Sequence, residues 1–266
     1  LSEIEIVHYN PKRKIFSGRL GRIFPIKKPL NNFGDLLGPL VAQHLLRNEY
    51  GKFSAQKNVR LLTIGSIIHF ARDGDVIWGS GINGKVPLTS LHFSELDVRS
   101  VRGPLTRDIL IERGIDVPEV FGDPGLLTPL IYPHLKELQK TPRYDYTFIP
   151  NYNDIPRFSD ELWYSPQSGL MNCLERIAKS RFVTGTSLHA IIIAESLGIP
   201  ARAIRSNNEH EFKYADYFTG TGRDNFAFAD SIEQALSMGG EQPIDISNIS
   251  QPIINSFPFD LWHGID

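Results

Sequence analysis

Short apolar runs and helically spaced apolar stripes alternate along the chain, which predicts strands each followed by a helix. RLLTIG (60–65), VIWGSG (76–81), DVRSV (97–101), YTFIP (146–150), RFVTG (181–185) and ARAI (201–204) read as strands. Between them, Pro39 suits the first position of a helix that places Leu40, Val41, His44 and Leu45 on one face. Gly103 caps and Pro104 starts a second helix, which runs to Arg113 and stops at Gly114. A third spans about Gly169 to Lys179. A fourth, within TGTSLHAIIIAESLGIP (184–200), takes Thr186 or Ser187 as its cap and ends at Gly198 and Pro200. HLKELQKTPRYD (134–145) reads as a connection. The alternation implies an α/β protein with parallel sheets covered by helices on both faces, and the pattern restarts near residue 140.

The total of 266 residues holds one large domain or two of ordinary size. A formal net charge of -2 argues against a nucleic-acid binder. The single cysteine, Cys173, leaves no disulfide or thiolate metal cluster and fits a reducing cytoplasm. No apolar run reaches the ~18–20 residues of a membrane span, and LSEIEIVHYN lacks the pattern of a signal peptide. These features lead to the expectation of a soluble cytoplasmic protein. One local bias changes that picture. Residues 11–30 carry Lys12, Arg13, Lys14, Arg19, Arg22, Lys27 and Lys28 without an acid, interleaved with Ile15, Phe16, Leu20, Ile23 and Phe24. The segment reads either as a solvated basic arm or as an interfacial stretch touching anionic lipid heads.

Candidate chemistry gathers at strand–helix turns. His189 falls in the first turn of its helix, beside Thr186, Ser187 and backbone N–H groups that attract anions. Arg102 precedes the helix capped by Gly103, where its guanidinium fork can grip phosphate or carboxylate, or form a surface salt bridge. NNFGD sets Asn32 and Asp35 in a glycine loop before a helix. WGSGING, which includes Gly81, brings backbone close enough to meet a ligand but lacks the dinucleotide spacing. DGD (73–75) and FGDPG (121–125) read as turns, with Asp123 as a cap. No GxSxG elbow, GxxxxGK[ST] loop or HExxH helix is present, which weighs against hydrolases and kinases.

In order, NNFGD, GSIIHFARDGDVIWGSGINGK, SVRGPLTRDILIERGIDVPEVFGDPGLLTPLIYP, SLHAIIIAESLGIP and FKYADYFTGTGR resemble the polysaccharide pyruvyltransferase family, in particular its xanthan-type exopolysaccharide ketal-pyruvyltransferases. The resemblance implies two Rossmann-like domains, 1–140 and 141–266, arranged like GT-B glycosyltransferases with the active site in the interdomain cleft. It implies transfer of the enolpyruvyl group of phosphoenolpyruvate to a sugar, forming a cyclic ketal and releasing phosphate. The acceptor would be a lipid-linked repeat unit at the cytoplasmic face of the inner membrane. Phosphoenolpyruvate is then the donor substrate, and no cofactor or metal is needed. By family position Arg102 and His189 face the donor. The chain departs from the family pattern at Ser187, where many members have arginine, and at Asn151, where a histidine is common. Lys213 or Arg223 then supplies the missing charge.

On this view two anion sites, beside Arg102 and beside Thr186, Ser187 and His189, hold the donor's two charged groups. His189 moves a proton, partnered by Asp35 or Asp123. The shared fold leaves two other readings: a nucleotide-sugar glycosyltransferase, and a non-catalytic carbohydrate-binding protein of an assembly machine.

Overall fold

The computed structural model describes residues 4–14, 26–158 and 161–265. In chain order the strands are β1 (Ile4–Val7), β2 (Lys12–Lys14), β3 (Lys27–Pro29), β4 (Phe53–Ala55), β5 (Val59–Leu62), β6 (Val76–Ser80), β7 (Asp97–Val101), β8 (Thr147–Phe148), β9 (Val183–Gly185), β10 (Ala201–Ala203) and β11 (Trp262–Gly264). The helices are α1 (Leu37–Tyr50), α2 (Pro104–Glu112), α3 (Thr128–Ile131), α4 (His134–Gln139), α5 (Leu170–Ala178), α6 (Leu188–Ser196), α7 (Phe212–Gly220), α8 (Ile232–Met238) and α9 (Ile246–Asn255).

The fold is mixed α/β with parallel sheets. One sheet has the order β1-β5-β6-β7 and the other β10-β9-β8, and every pairing in both is parallel. Parallel neighbours cannot be joined by tight hairpins, so each crossover returns over a face of its sheet. β6 is buried at all five positions, as a strand covered on both faces must be. Alternation along the strands divides the core. Leu61 and Val76 join the large cluster that also holds α1 and α6, while Leu62 and Ile77 turn to a second cluster with Val98 and Leu110. The large cluster continues into the second sheet through Ile149, Val183 and Ala201.

α6 is apolar on every side and almost wholly buried, which fixes its first turn firmly in place. The last segment of the chain returns to the first sheet's side. Trp78 Nε1 donates to the carbonyl of Ile253 at 2.9 Å, the Trp78 ring meets Phe257 edge-on, and β11 pairs antiparallel with β4.

Two elements differ from the sequence pattern. α1 starts at Leu37, continuing a 3-10 turn over Phe33–Leu36, so Pro39 lies two residues inside it. Proline is tolerated there because first-turn N–H groups have no intrahelical acceptor. Residues expected to be a connection form α4, with Leu135 fully buried and Leu138 packed on the large cluster. Of the basic segment, β2 and β3 form a short antiparallel pair, and residues 15–25, including Arg19 and Arg22, lie outside the described residues. Among the described residues no helix is long and apolar enough to cross a membrane.

Candidate active site

All strands of a parallel sheet point the same way, so the loops after them gather along one edge, where ligands bind. Both parallel sheets contribute that edge to one cavity of about 300 Å³. Its lining includes Tyr9 after β1, Ser66 after β5, Lys85 after β6 and Arg102 after β7. The second sheet adds Asn151 after β8, His189 after β9, and Glu209 and Lys213 after β10.

Arg102 is fully buried and rigidly held. Its Nε donates to Asp216 Oδ2 at 3.0 Å, one terminal nitrogen to Ser66 Oγ at 2.6 Å and the other to the Ile82 carbonyl at 2.7 Å. Asp216, on α7, is itself fully buried and also caps α2, accepting from Thr106 N at 2.8 Å and Thr106 Oγ1 at 2.7 Å. The pair is therefore an interior one, not the surface salt bridge that the local sequence allowed. Gly81 is absent from the cavity wall; it makes room for the guanidinium, with which a β-carbon there would collide. Gly103 and Gly220 admit α7 against the same turn for the same reason.

On the opposite wall, Ser187 is the N-cap of α6 and lines the cavity with Leu188 and His189. The His189 ring lies against the α-carbon of Gly34, in the space a side chain at that position would need. Burial, and then the positive charges of Lys213 and Arg102, lower the imidazole's pKa to about 3, so it is neutral at pH 7. Asp35 behaves oppositely. Burial raises its carboxyl to about 7 even though Asn32 Nδ2 donates to Asp35 Oδ2 at 2.6 Å. Asn32, Asp35 and Asp123 all line the cavity.

Lys213 donates to Glu209 Oε2 and Lys85 to Glu209 Oε1, each at 2.8 Å. Burial alone would raise Glu209, but the two lysines and Asn153 outweigh it and hold the carboxylate at about 2. Burial pulls Lys213 below the ordinary lysine value, against the attraction of Glu209. Thr186 does not face the cavity. Its Oγ1 accepts from Asn151 N at 2.8 Å and its carbonyl from Tyr214 OH at 2.6 Å, which ties the β9–α6 turn to its neighbours. Arg223 is also elsewhere, committed to Glu195 through two hydrogen bonds of 2.6 and 3.0 Å. Of the two cations suggested for the missing charge, Lys213 is at the cavity. Ser66, Glu209, Asp216 and Gly34 escaped the sequence reading; an acid at the buried position 216 of an apolar helix face was the available signal.

The family model described as polysaccharide pyruvyl transferase matches residues 2–208, which include the cavity-lining residues from Tyr9 to His189. The chain belongs to the polysaccharide pyruvyl transferase family. It is 26% identical over 204 residues to the succinoglycan biosynthesis protein ExoV of Rhizobium meliloti, a match covering 70% of this chain and 60% of ExoV. It is 27% identical over 226 residues to an uncharacterized protein, L143, of Acanthamoeba polyphaga mimivirus, covering 72% and 77% of the two chains. A crystal structure described as that of a functional uncharacterized protein from Klebsiella pneumoniae superposes with a TM-score of 0.47 at 11% identity, over 75% of this chain and 89% of that one. That likeness is too distant to place residues.

Proposed function

We propose that this pyruvyl transferase moves the enolpyruvyl unit of phosphoenolpyruvate onto a sugar of a lipid-carried exopolysaccharide repeat unit, closing a cyclic pyruvate ketal and releasing phosphate. The observation that carries the reading is one cavity in which Arg102, after β7 of one sheet, and Lys213, after β10 of the other, accompany Asp35 and His189. A donor bearing a phosphate and a carboxylate needs cations at two places, and the transfer needs groups that give and take protons beside them. In this reading the two sheets belong to two GT-B-like domains divided near residue 140, and the cavity is their cleft.

The protonation states support a division of the work. A sugar hydroxyl attacks C2 of the donor and yields its proton to the neutral imidazole of His189. The Asp35 carboxyl, about half protonated at pH 7, gives its proton to the methylene carbon, which becomes the ketal methyl. Arg102 stabilises charge on the phosphate as the C–O bond breaks, and the proton taken up by His189 leaves with the phosphate. The second hydroxyl then closes the ring and returns a proton to Asp35. Lys85 and Lys213, both paired with Glu209, are the cations an incoming anion competes for.

Incubation with phosphoenolpyruvate and lipid-linked oligosaccharides of exopolysaccharide repeat units tests the reading. Pyruvate gain in the mass spectrum, with stoichiometric phosphate, supports it. Nucleoside diphosphate release from a nucleotide sugar instead makes the protein a glycosyltransferase, and acceptor binding without turnover makes it a binding protein.

A further inference from the structure

Asp123 is fully buried and lines the cavity, yet half of its carboxyl group is unaccounted for. Oδ1 accepts from Gly125 N at 2.8 Å and so caps the 3-10 turn Pro124–Leu127. Oδ2 is buried and, among the described residues, has no hydrogen-bond partner. A buried carboxylate oxygen left alone is costly, and native structures rarely keep one without use. The charged and titratable groups acting on Asp123 include Arg102 after β7, Asp216 and Tyr217 on α7, and Asp35 before α1. Arg102 is the cation among them, and it is the residue the proposed function sets against the donor's phosphate.

Resting on that reading, we infer that Asp123 is a further catalytic residue: Oδ2 carries a proton, donates it in a hydrogen bond to the donor's phosphate, and surrenders it as phosphate departs. The bond that breaks joins C2 of the former enolpyruvyl unit to the phosphate's bridging oxygen, which keeps the electron pair and takes the Asp123 proton. Phosphate leaves as hydrogen phosphate, and the His189 imidazolium, charged by the first hydroxyl, restores the proton to Asp123. Asp35 and the second hydroxyl complete the balance of protons. Burial already raises the Asp123 carboxyl to about 6, near the second ionisation of a phosphate monoester, so the proton is closely shared with the intact donor and passes to the far more basic phosphate oxygen as the C–O bond breaks. A phosphate dianion placed beside Oδ2 raises the carboxyl further and loads the proton when the donor binds.

The test compares the parent with Asp123→Asn, which keeps an oxygen for the Gly125 cap and offers an amide N–H to phosphate but has no proton to give. Calorimetry of inorganic phosphate binding at pH 7, in buffers of different ionisation enthalpy, reads proton uptake directly. The parent takes up protons and the Asn variant takes up measurably fewer, with phosphate affinity within about threefold. In turnover the Asn variant loses on the order of 10²- to 10⁴-fold in kcat with little change in donor KM. Asp123→Glu, which restores an acid, recovers part of kcat. Equal proton uptake by parent and Asn variant, or an unchanged kcat, overturns the role of Asp123. A parent that releases no phosphate from phosphoenolpyruvate with any acceptor, while phosphate binding remains proton-linked through Asp123, fails the proposed function instead.

Discussion

The imidazole of His189 occupies the volume that a side chain at Gly34 would fill, so a residue before α1 and one opening α6 are fitted to each other across the cavity wall. The backbone of Gly34 is not left-handed, and the nearest atoms that an alanine β-carbon there meets are the ring and β-carbon of His189. Gly34→Ala is expected to cost ~1–3 kcal/mol of stability as an overpacked contact. It should also lower kcat by about 10²-fold, since small displacements of a reacting group are that costly. Thermal unfolding alongside steady-state kinetics checks both. Full activity in a stable Ala variant means the position of His189 is immaterial.

Arg102 has a structural burden as well as a chemical one. Removing it leaves Asp216 buried with a negative charge and, among the described residues, only Thr106 as partner. Arg102→Ala is therefore expected to lose ~3–5 kcal/mol of folding stability in denaturant titrations, together with its use of phosphoenolpyruvate. The double variant Arg102→Met, Asp216→Leu removes both charges and should recover much of that stability while remaining inactive. A double variant no more stable than Arg102→Ala argues against the buried pair as the cause.

The order of strands and helices was legible because parallel sheets impose alternating apolar runs, and the cap at Ser187 placed His189 in its turn correctly. Contacts between distant residues were not legible. Arg102 and Asp216 are 114 residues apart in sequence, and nothing local marks one as the other's counter-ion. Lys213 and Arg223 looked interchangeable as donors of a missing charge. The first turn of α7 carries Lys213 to the cavity, whereas Arg223 follows the end of that helix and meets Glu195. α4 was missed because Pro133 and the charged residues around it mask two leucines that reach the core.

The exposed strand β3 and Lys12 and Arg13 of β2 place cations near Tyr9 and Leu30 at the cavity, and the Arg13 guanidinium sits 4.8 Å from the Tyr152 ring centroid. If the acceptor is carried on a lipid, this side of the molecule approaches the membrane. Sedimentation with vesicles is expected to show preference for anionic over neutral lipid, weakening from 50 mM to 300 mM salt on the scale of ~1 kcal/mol or less per cation. Replacing Lys12, Lys27 and Lys28 with glutamine should abolish most of the preference. Equal binding to neutral vesicles leaves these residues as a solvated surface.

Asp35 and His189 make opposite contributions to the pH dependence of stability. An unfolded aspartate titrates near 4, whereas buried Asp35 titrates at about 7, so between those values the folded state holds a proton that the unfolded state has lost. Its contribution is complete below about pH 4 and disappears as pH rises through about 7. His189 has a folded value of about 3 against ~6.5 unfolded, so its contribution is present above about pH 6.5 and is lost as pH falls toward 3. Asp35→Asn isolates the first term, because the amide carries no charge at any pH and still meets Asn32. Relative to the parent, this variant is expected to gain on the order of 2 kcal/mol of stability between pH 4 and pH 8, allowing for water in the cavity. Denaturant titrations at the two pH values measure that gain, and a difference independent of pH contradicts the raised carboxyl. The same variant cannot protonate the methylene carbon, so its kcat should fall by about 10²-fold or more. The parent's activity should decline above about pH 7 as Asp35 ionises.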